Sequence, residues 1–417
     1  MIKHHSAVIT ISLILLSVFF FNECISNEKN DDGTVTGFSY HEYSGSASCM
    51  KCHRDVYDAH VKTAHFKTSS IASGKTLLGS FNDPYNKYLF PTGAMVVMEK
   101  KGDSFYQVAY INSIETKRQR FDLVIGSGTK GQSFASWAGD KLVQMPITYF
   151  TSAHQWSNSP GYPGRIAFNR PITSRCLECH STYAEKISAE GIEPESFDKN
   201  KILLGVDCEK CHGPGAEHVK FQTNNPDVKN GKFIINPATF TRQQTLDLCA
   251  LCHGGRLDKI KPSFEFTAGD KLADYFRIDT AGRNINAIDV HGNQLGLLQA
   301  SKCFQKTTTL SCITCHNSHE NEKGNVSLFS QRCISCHNSD HTGIPVCKMT
   351  ASLGETTKKD CISCHMPEQP SMAISVLLQG NPLPVPATMH THWITIYPDA
   401  TKKMLSQIKN RVIEKNK

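Results

Sequence analysis

Hydrophobic and polar positions along this chain fall into three regimes. Residues 7–21 form an unbroken run of apolar or small side chains behind Lys3, His4 and His5. The run falls short of the ~20 residues that a bilayer-spanning helix needs, and with its cationic start it suits an export signal. Residues 95–99, 105–111 and 120–125 instead mix β-branched, aromatic and polar side chains in strand-length runs, with 100–103 as a turn between the first two. They predict an antiparallel β-rich insert over 85–170. Residues 54–65 space Val56, Tyr57, His60, Val61 and Ala64 as a helix would. Elsewhere the pattern is broken and polar, predicting short helices and loops, and residues 402–417 form a basic tail. The glycine-rich stretch 126–131 lacks the Gly-Lys-Ser/Thr ending of a phosphate loop and is read as a turn.

Composition changes this picture in one respect. At 417 residues the chain has room for two or three domains, but only 39% of it is hydrophobic, and 17 residues are cysteine. Fourteen of the cysteines recur in one phrase, Cys-x-x-Cys-His. Motif 1 is Cys49, Cys52, His53; motif 2 is Cys176, Cys179, His180; motif 3 is Cys208, Cys211, His212; motif 4 is Cys249, Cys252, His253. Motif 5 is Cys312, Cys315, His316; motif 6 is Cys333, Cys336, His337; motif 7 is Cys361, Cys364, His365. Seven copies exclude chance.

Zinc also uses paired cysteines, but it needs four ligands and does not explain the histidine after every second cysteine. A set of disulfides explains it no better. Covalent attachment of c-type haem explains all three positions. Each thiol adds to one vinyl group, and the adjacent imidazole is carried beneath the ring to bind iron. Seven haem c groups are therefore expected, and such attachment happens outside the cytoplasm. The apolar run ends at Phe21-Asn22-Glu23-Cys24, similar to a lipoprotein signal with Cys24 lipidated; a plainly cleaved signal and a retained anchor are the alternatives, and all three export the chain. Cys303 and Cys347 are left over and are expected to pair in an oxidising compartment. The formal charge of +7 also changes meaning. A ferric porphyrin with two propionates adds one negative charge, so seven bring the mature protein close to neutral and leave nucleic-acid binding without electrostatic support.

The second axial ligand of each iron decides the function: two histidines suit electron passage, and an open face suits catalysis. His218 lies beyond the turn Gly213-Pro214-Gly215 and is expected to serve a haem other than its own motif's. His319 and His341, close behind His316 and His337, sit at helical spacing beside those ligands and should face neighbouring haems. His60 and His65 compete for one iron, as do His390 and His392. His154 falls in a Gly/Pro/Ser-rich stretch, and His41 is read as a surface residue.

The phrases Ser48-Cys-Met-Lys-Cys-His53 running into Thr63-Ala-His65, Cys208-Glu-Lys-Cys-His-Gly-Pro-Gly-Ala-Glu-His218, Cys312-Ile-Thr-Cys-His-Asn-Ser-His319 and Cys361-Ile-Ser-Cys-His-Met-Pro367 resemble the multihaem cytochromes related to cytochrome c554. The resemblance covers 46–70 and 172–395, and the long insert between motifs 1 and 2 departs from it. It implies His65, His218, His291, His319 and His392 as distal ligands; His341 and His154 are added by spacing and elimination. The expected organisation is a signal peptide (1–23), a flexible linker (24–45), a first haem segment (46–84), the β-rich insert (85–170), haems 2–4 (171–300), haems 5–7 (301–395) and a basic tail (396–417). The expected fold is mainly α, with large irregular loops around a haem stack and a small antiparallel β-rich insert. The expected function is an exported electron carrier, periplasmic or membrane-anchored through lipid on Cys24, passing electrons between redox-partner proteins. The alternative is a reductase of nitrite or hydroxylamine type, with one five-coordinate haem served by Tyr162, Arg165 and His154.

Overall fold

The computed structural model describes residues 38–415 apart from 163, 279–283, 340–342 and 345. The export segment, Cys24 and the candidate ligand His341 lie outside the described residues.

The β content is larger than the sequence suggests. Helix makes up 30% of the chain and strand 25%, in several antiparallel sheets, so the expectation of a mainly α fold with a small β insert is overturned. One sheet contains β1 (Ser69–Ile71), β6 (Leu123–Ile125), β7 (Gly131–Ala138), β8 (Lys141–Gln144) and β11 (Arg170–Pro171) in that order, and β9 (Ile147–Phe150) joins it on β7 with β10 (Gln155–Asn158) beyond. A second holds β2 (Lys87–Leu89), β3 (Met95–Lys101), β4 (Ser104–Ile111) and β5 (Ile114–Phe121) in sequence order. The physical reason for the surplus is that segments between and after the motifs, read as loops, pair with the next strand in the chain as antiparallel hairpins. β12 (Ser181–Lys186) pairs with β13 (Phe197–Leu204), β14 (Leu257–Lys259) with β15 (Phe276–Ile278), and β16 (Glu368–Val376) with β17 (Val385–His390).

Local chemistry explains the tight turns. Lys101 pairs with Ser104 across a two-residue loop, and Gly102 takes φ +60° there, where a side chain would be strained. Ile111 pairs with Ile114 across Asn112 and Ser113, both with positive φ, as a type I′ turn requires. The stretch 120–125, read as one strand, is two: β5 ends at Phe121 and β6 begins at Leu123.

Successive residues of a strand point to opposite faces, and β7 buries both. Phe134 packs with Val96, Met98, Phe105, Phe121 and Trp156 between the two sheets. Its neighbour Ala135 packs on the other side with Leu123, Leu142, Phe197 and Leu177. Leu177 lies between the two cysteines of motif 2, in the helix Ser174–His180, so this second core fixes the first attachment helix after the insert against the β framework. Residues 301–395 are built differently. Leu353, Val376 and Ala387 are the buried apolar side chains that the described residues offer there. No described helix is long and apolar enough to cross a membrane.

Phe134 is fully buried against Trp156, their ring centres 5.7 Å apart. Phe134→Ala is expected to destabilise the β framework by about 3–5 kcal/mol. Urea unfolding followed by tryptophan fluorescence checks this; a loss under ~1 kcal/mol would mean that the two sheets do not share a core there.

Candidate haem sites

Each motif folds as a single helical turn. The amide of the motif histidine donates to the carbonyl of the first cysteine at 2.9 Å in motif 1, 3.0 Å in motif 5, 2.9 Å in motif 6 and 3.0 Å in motif 7. One turn brings the first thiol and the imidazole to the same side, with the second thiol three residues on. Caps position several of these turns. The Asp207 carboxylate accepts from Cys208 N at 2.7 Å before motif 3, and Thr241 and Gln244 form a capping box on the helix Arg242–His253 that carries motif 4.

The motifs meet in an order that differs from their order in the chain. The Cys49 thiol lies against Cys208, Cys179 against Cys252, Cys249 against Cys312, and Cys333 against Cys361. Motif 1 thus adjoins motif 3, motif 2 adjoins motif 4, motif 4 adjoins motif 5, and motif 6 adjoins motif 7. Cys315 and Cys333 are near enough to interact, which links motifs 5 and 6, and Cys211 and Cys249 link motifs 3 and 4. The seven turns form one connected set.

Three close pairs of imidazoles join a motif histidine to one outside the motifs; a further close pair, His60 with His319 at 6.4 Å, joins two histidines outside them. Ring centres are 6.2 Å apart for His65 and His253, 6.1 Å for His212 and His319, and 6.0 Å for His316 and His392. With metal–imidazole bonds of about 2.0–2.1 Å and the ring centre about 1.2 Å beyond its nitrogen, two imidazoles on opposite sides of one ion hold their centres about 6.3 Å apart. The first three pairs therefore fit a bis-histidine iron. Each joins a motif histidine to a histidine outside the motifs, and in each the outside partner is one that the c554 resemblance implies. A fourth association joins His180 to His291, whose proximity disfavours the protonated form of His180.

The electrostatics suit ligation. His253 is pushed down to about 4, first by the protein packed around it and then by His65, His291 and His316. His392 is likewise near about 4, through desolvation and then His316 and His253. Desolvation also lowers His65, His180, His291, His316 and His319. Yet His65, His253, His291, His316 and His319 all keep solvent-accessible rings. A ring whose protonated form is disfavoured in this way is neutral with a lone pair to give.

Backbone carbonyls set which lone pair that is. His212 Nδ1 donates to Ile235 O at 2.9 Å, His365 Nδ1 to Thr395 O at 2.8 Å, His218 Nδ1 to Lys232 O at 2.7 Å and His390 Nδ1 to Met366 O at 2.6 Å. His180 Nδ1 faces Thr68, 3.0 Å from its hydroxyl and 3.4 Å from its carbonyl. A carbonyl can only accept, so in the first four Nε2 is left as the metal-binding nitrogen. His60 is the reverse. Its Nε2 points at Val206 O at 3.1 Å and its ring lies 6.4 Å from that of His319, while the His65 ring lies 6.2 Å from that of the motif histidine His253. His392 rather than His390 faces His316.

Other expected residues are placed differently. His319 does not share a helical face with His316, because the chain turns extended at His316, with φ −129° and ψ 140°. The two rings consequently serve different partners, His392 and His212. His154 is exposed, at a left-handed turn with φ 52° after β9, and no described contact ties it to a motif. Tyr162 is buried with its hydroxyl donating to Gln144 O and its ring under Arg170, and Arg165 is exposed. Cys303 and Cys347 are both free rather than bridged: Cys303 lies near Cys336, and Cys347 near Cys364. His41 is exposed.

Two carboxylates that the sequence reading missed organise the sites. Asp289 accepts from His291 N at 2.6 Å, Ser371 Oγ at 3.0 Å and Ala373 N at 2.5 Å, tying the His291 loop to β16. Glu209, between the cysteines of motif 3, accepts from backbone beside motif 1. Their partners are distant in the chain and mostly main chain, so no residue pattern announces them.

Comparison with known proteins finds similarity to multihaem cytochromes. The family model described as cytochrome c554 and c-prime matches residues 154–213, the stretch holding motifs 2 and 3. The C-type polyheme cytochrome OmcC of Geobacter sulfurreducens (strain ATCC 51573 / DSM 12127 / PCA) is 24% identical over 218 residues, 46% of this chain and 25% of OmcC. The chain thus spans about a quarter of the length of that curated relative. The crystal structure of the outer cell wall cytochrome OcwA superposes with a TM-score of 0.54 at 18% identity, covering 87% of this chain and 81% of the other. That likeness is one of fold.

The facing pairs predict different outcomes for two neighbouring histidines. His65→Ala is expected to convert one low-spin ferric iron to high-spin, and His60→Ala to leave the low-spin population unchanged. Electron paramagnetic resonance of the oxidised protein distinguishes them, and the opposite result would give the site to His60.

Proposed function

We propose that this chain, a multihaem c-type cytochrome, is an exported carrier that passes electrons between redox-partner proteins through seven covalently attached haems, most of them held between two histidines. Haem c held at these motifs would supply a one-electron couple, and a histidine on each side of its iron would leave no open face for substrate.

The observation that carries the reading is the set of facing imidazoles, His65 with His253, His212 with His319 and His316 with His392, at 6.0–6.2 Å. The chain's residues divide the work. Paired cysteines of each motif anchor, motif histidines hold one axial position, and His65, His319, His392 and His291 take the other at motifs 4, 3, 5 and 2. His218 and His341 are the expected partners among motifs 1, 6 and 7. Backbone carbonyls fix the tautomers, and the contact between motif turns keeps neighbouring sites close enough for hopping. The reductase reading would place Tyr162, Arg165 and His154 at an open iron, whereas the Tyr162 hydroxyl is taken up by Gln144 O. OmcC and OcwA are named as a polyheme cytochrome and an outer cell wall cytochrome, and such a setting, with lipid on Cys24 as a possible tether, suits a carrier that meets partner proteins at a cell surface.

Matured in a host able to attach haem c, the protein is expected to have the mass of its polypeptide plus seven haems, predominantly low-spin ferric signals, and no turnover of nitrite or hydroxylamine with a reduced dye. A mass showing fewer than seven, or steady turnover with a stoichiometric high-spin signal, would overturn the reading.

A further inference from the structure

Glu209 occupies an inner position of motif 3, between Cys208 and Cys211, and is 6% exposed. Its Oε1 accepts from Ser44 N at 2.8 Å, Gly215 N at 2.7 Å and Ser44 Oγ at 3.4 Å, and its Oε2 from Gly45 N at 2.9 Å. Gly45 is the N-cap of the helix Ser46–Cys49 that brings Cys49 into motif 1, so the carboxylate grips that helix at its start. Gly215 closes the turn behind His212. A Cβ there would approach Glu209 Oε1 to 3.1 Å and Ser44 Oγ to 3.3 Å, which gives the Gly-Pro-Gly turn a packing reason. One buried side chain thus joins the entry of motif 1, the body of motif 3 and the turn after it, where the Cys49 and Cys208 thiols touch.

Two consequences follow from elementary physics. Charge-assisted bonds from a carboxylate to main-chain N–H groups are stronger and shorter than neutral ones, so the clamp resists sliding of motif 1 over motif 3. A negative charge in a poorly hydrated position also acts over longer range than one at the surface. It stabilises the more positive, oxidised state of any iron near it and lowers that iron's reduction potential.

We propose that Glu209 is a positioning residue that sets the spacing between sites 1 and 3 and holds both of their potentials below the values that their ligands alone would give. The inference rests on haem being attached at both motifs, as proposed above.

Substitution separates position from charge. Glu209→Gln keeps an acceptor at Oε1, and so three of the four hydrogen bonds, but removes the charge. Glu209→Ala removes both. In the holoprotein, mass first establishes that all haems are present in each variant. Redox titration followed by optical and paramagnetic resonance spectroscopy then reads the potentials. In E209Q two couples are expected to move to higher potential while the other five stay. In E209A the same two are expected to move further, with altered magnetic interaction between the two sites. Seven haems with unmoved potentials in E209Q, or a shift spread evenly over all couples, would overturn the role given to Glu209 while leaving the carrier reading intact. Fewer than seven haems in the unsubstituted protein would instead remove the premise.

Discussion

An iron between two imidazoles would be a cross-link of nearly fixed length, and here each facing pair of rings joins segments far apart in sequence. His65 reaches His253, His212 reaches His319, and His316 reaches His392. Closing a loop costs conformational entropy that grows only slowly with its length, so a few strong links can organise a long chain. This explains the uneven core. The β framework, held by Phe134, Ala135 and their neighbours, is packed like any globular domain. The segment with motifs 5–7 buries few apolar side chains among the described residues, a shortfall that attachment and ligation would offset, as they do in small metal-dependent domains.

The two halves are joined where that difference is greatest. Leu177, inside motif 2, belongs to a conventional hydrophobic cluster with Leu123, Ala135 and Leu142. Cys179 of the same turn lies against Cys252 of motif 4, and His180 is braced by Thr68, next to β1. Motif 2 is therefore the point at which the β framework meets the array of attachment motifs. A cavity made at Phe134 acts on the framework, whereas loss of a ligand such as His65 acts on the array, and the two defects should be separable by probe.

What the sequence revealed follows from the range of each interaction. The attachment turns are local, so Cys-x-x-Cys-His was legible residue by residue, as was the β3–β4 hairpin around Gly102. His65, His319 and His392 came through the resemblance, because their partners lie tens to hundreds of residues away. His154, assigned by elimination, carried no geometric signal, and the structure leaves it exposed on a turn. β12 and β13 were read as loop because neither alternates apolar and polar side chains regularly, and they pair across register shifts. Glu209 and Asp289 were invisible for another reason: they bind chiefly backbone amides, which every residue possesses.

The segment from Cys312 to His319 shows how a compact array is reached without a large core. A helix through His319 would have turned both of its histidines toward one side. The chain leaves the helix at His316 instead, so His316 faces His392 while His319, three residues on, faces His212. The first thiol of the same segment lies against motif 4, and the second is close to motif 6. Eight residues thus touch motifs 3, 4 and 6 as well as their own site. Spacing between sites is inherited from one short piece of backbone rather than from the packing of separate domains. That economy is why the spatial order of the motifs can depart from their order in the chain while every neighbour stays within reach of the next.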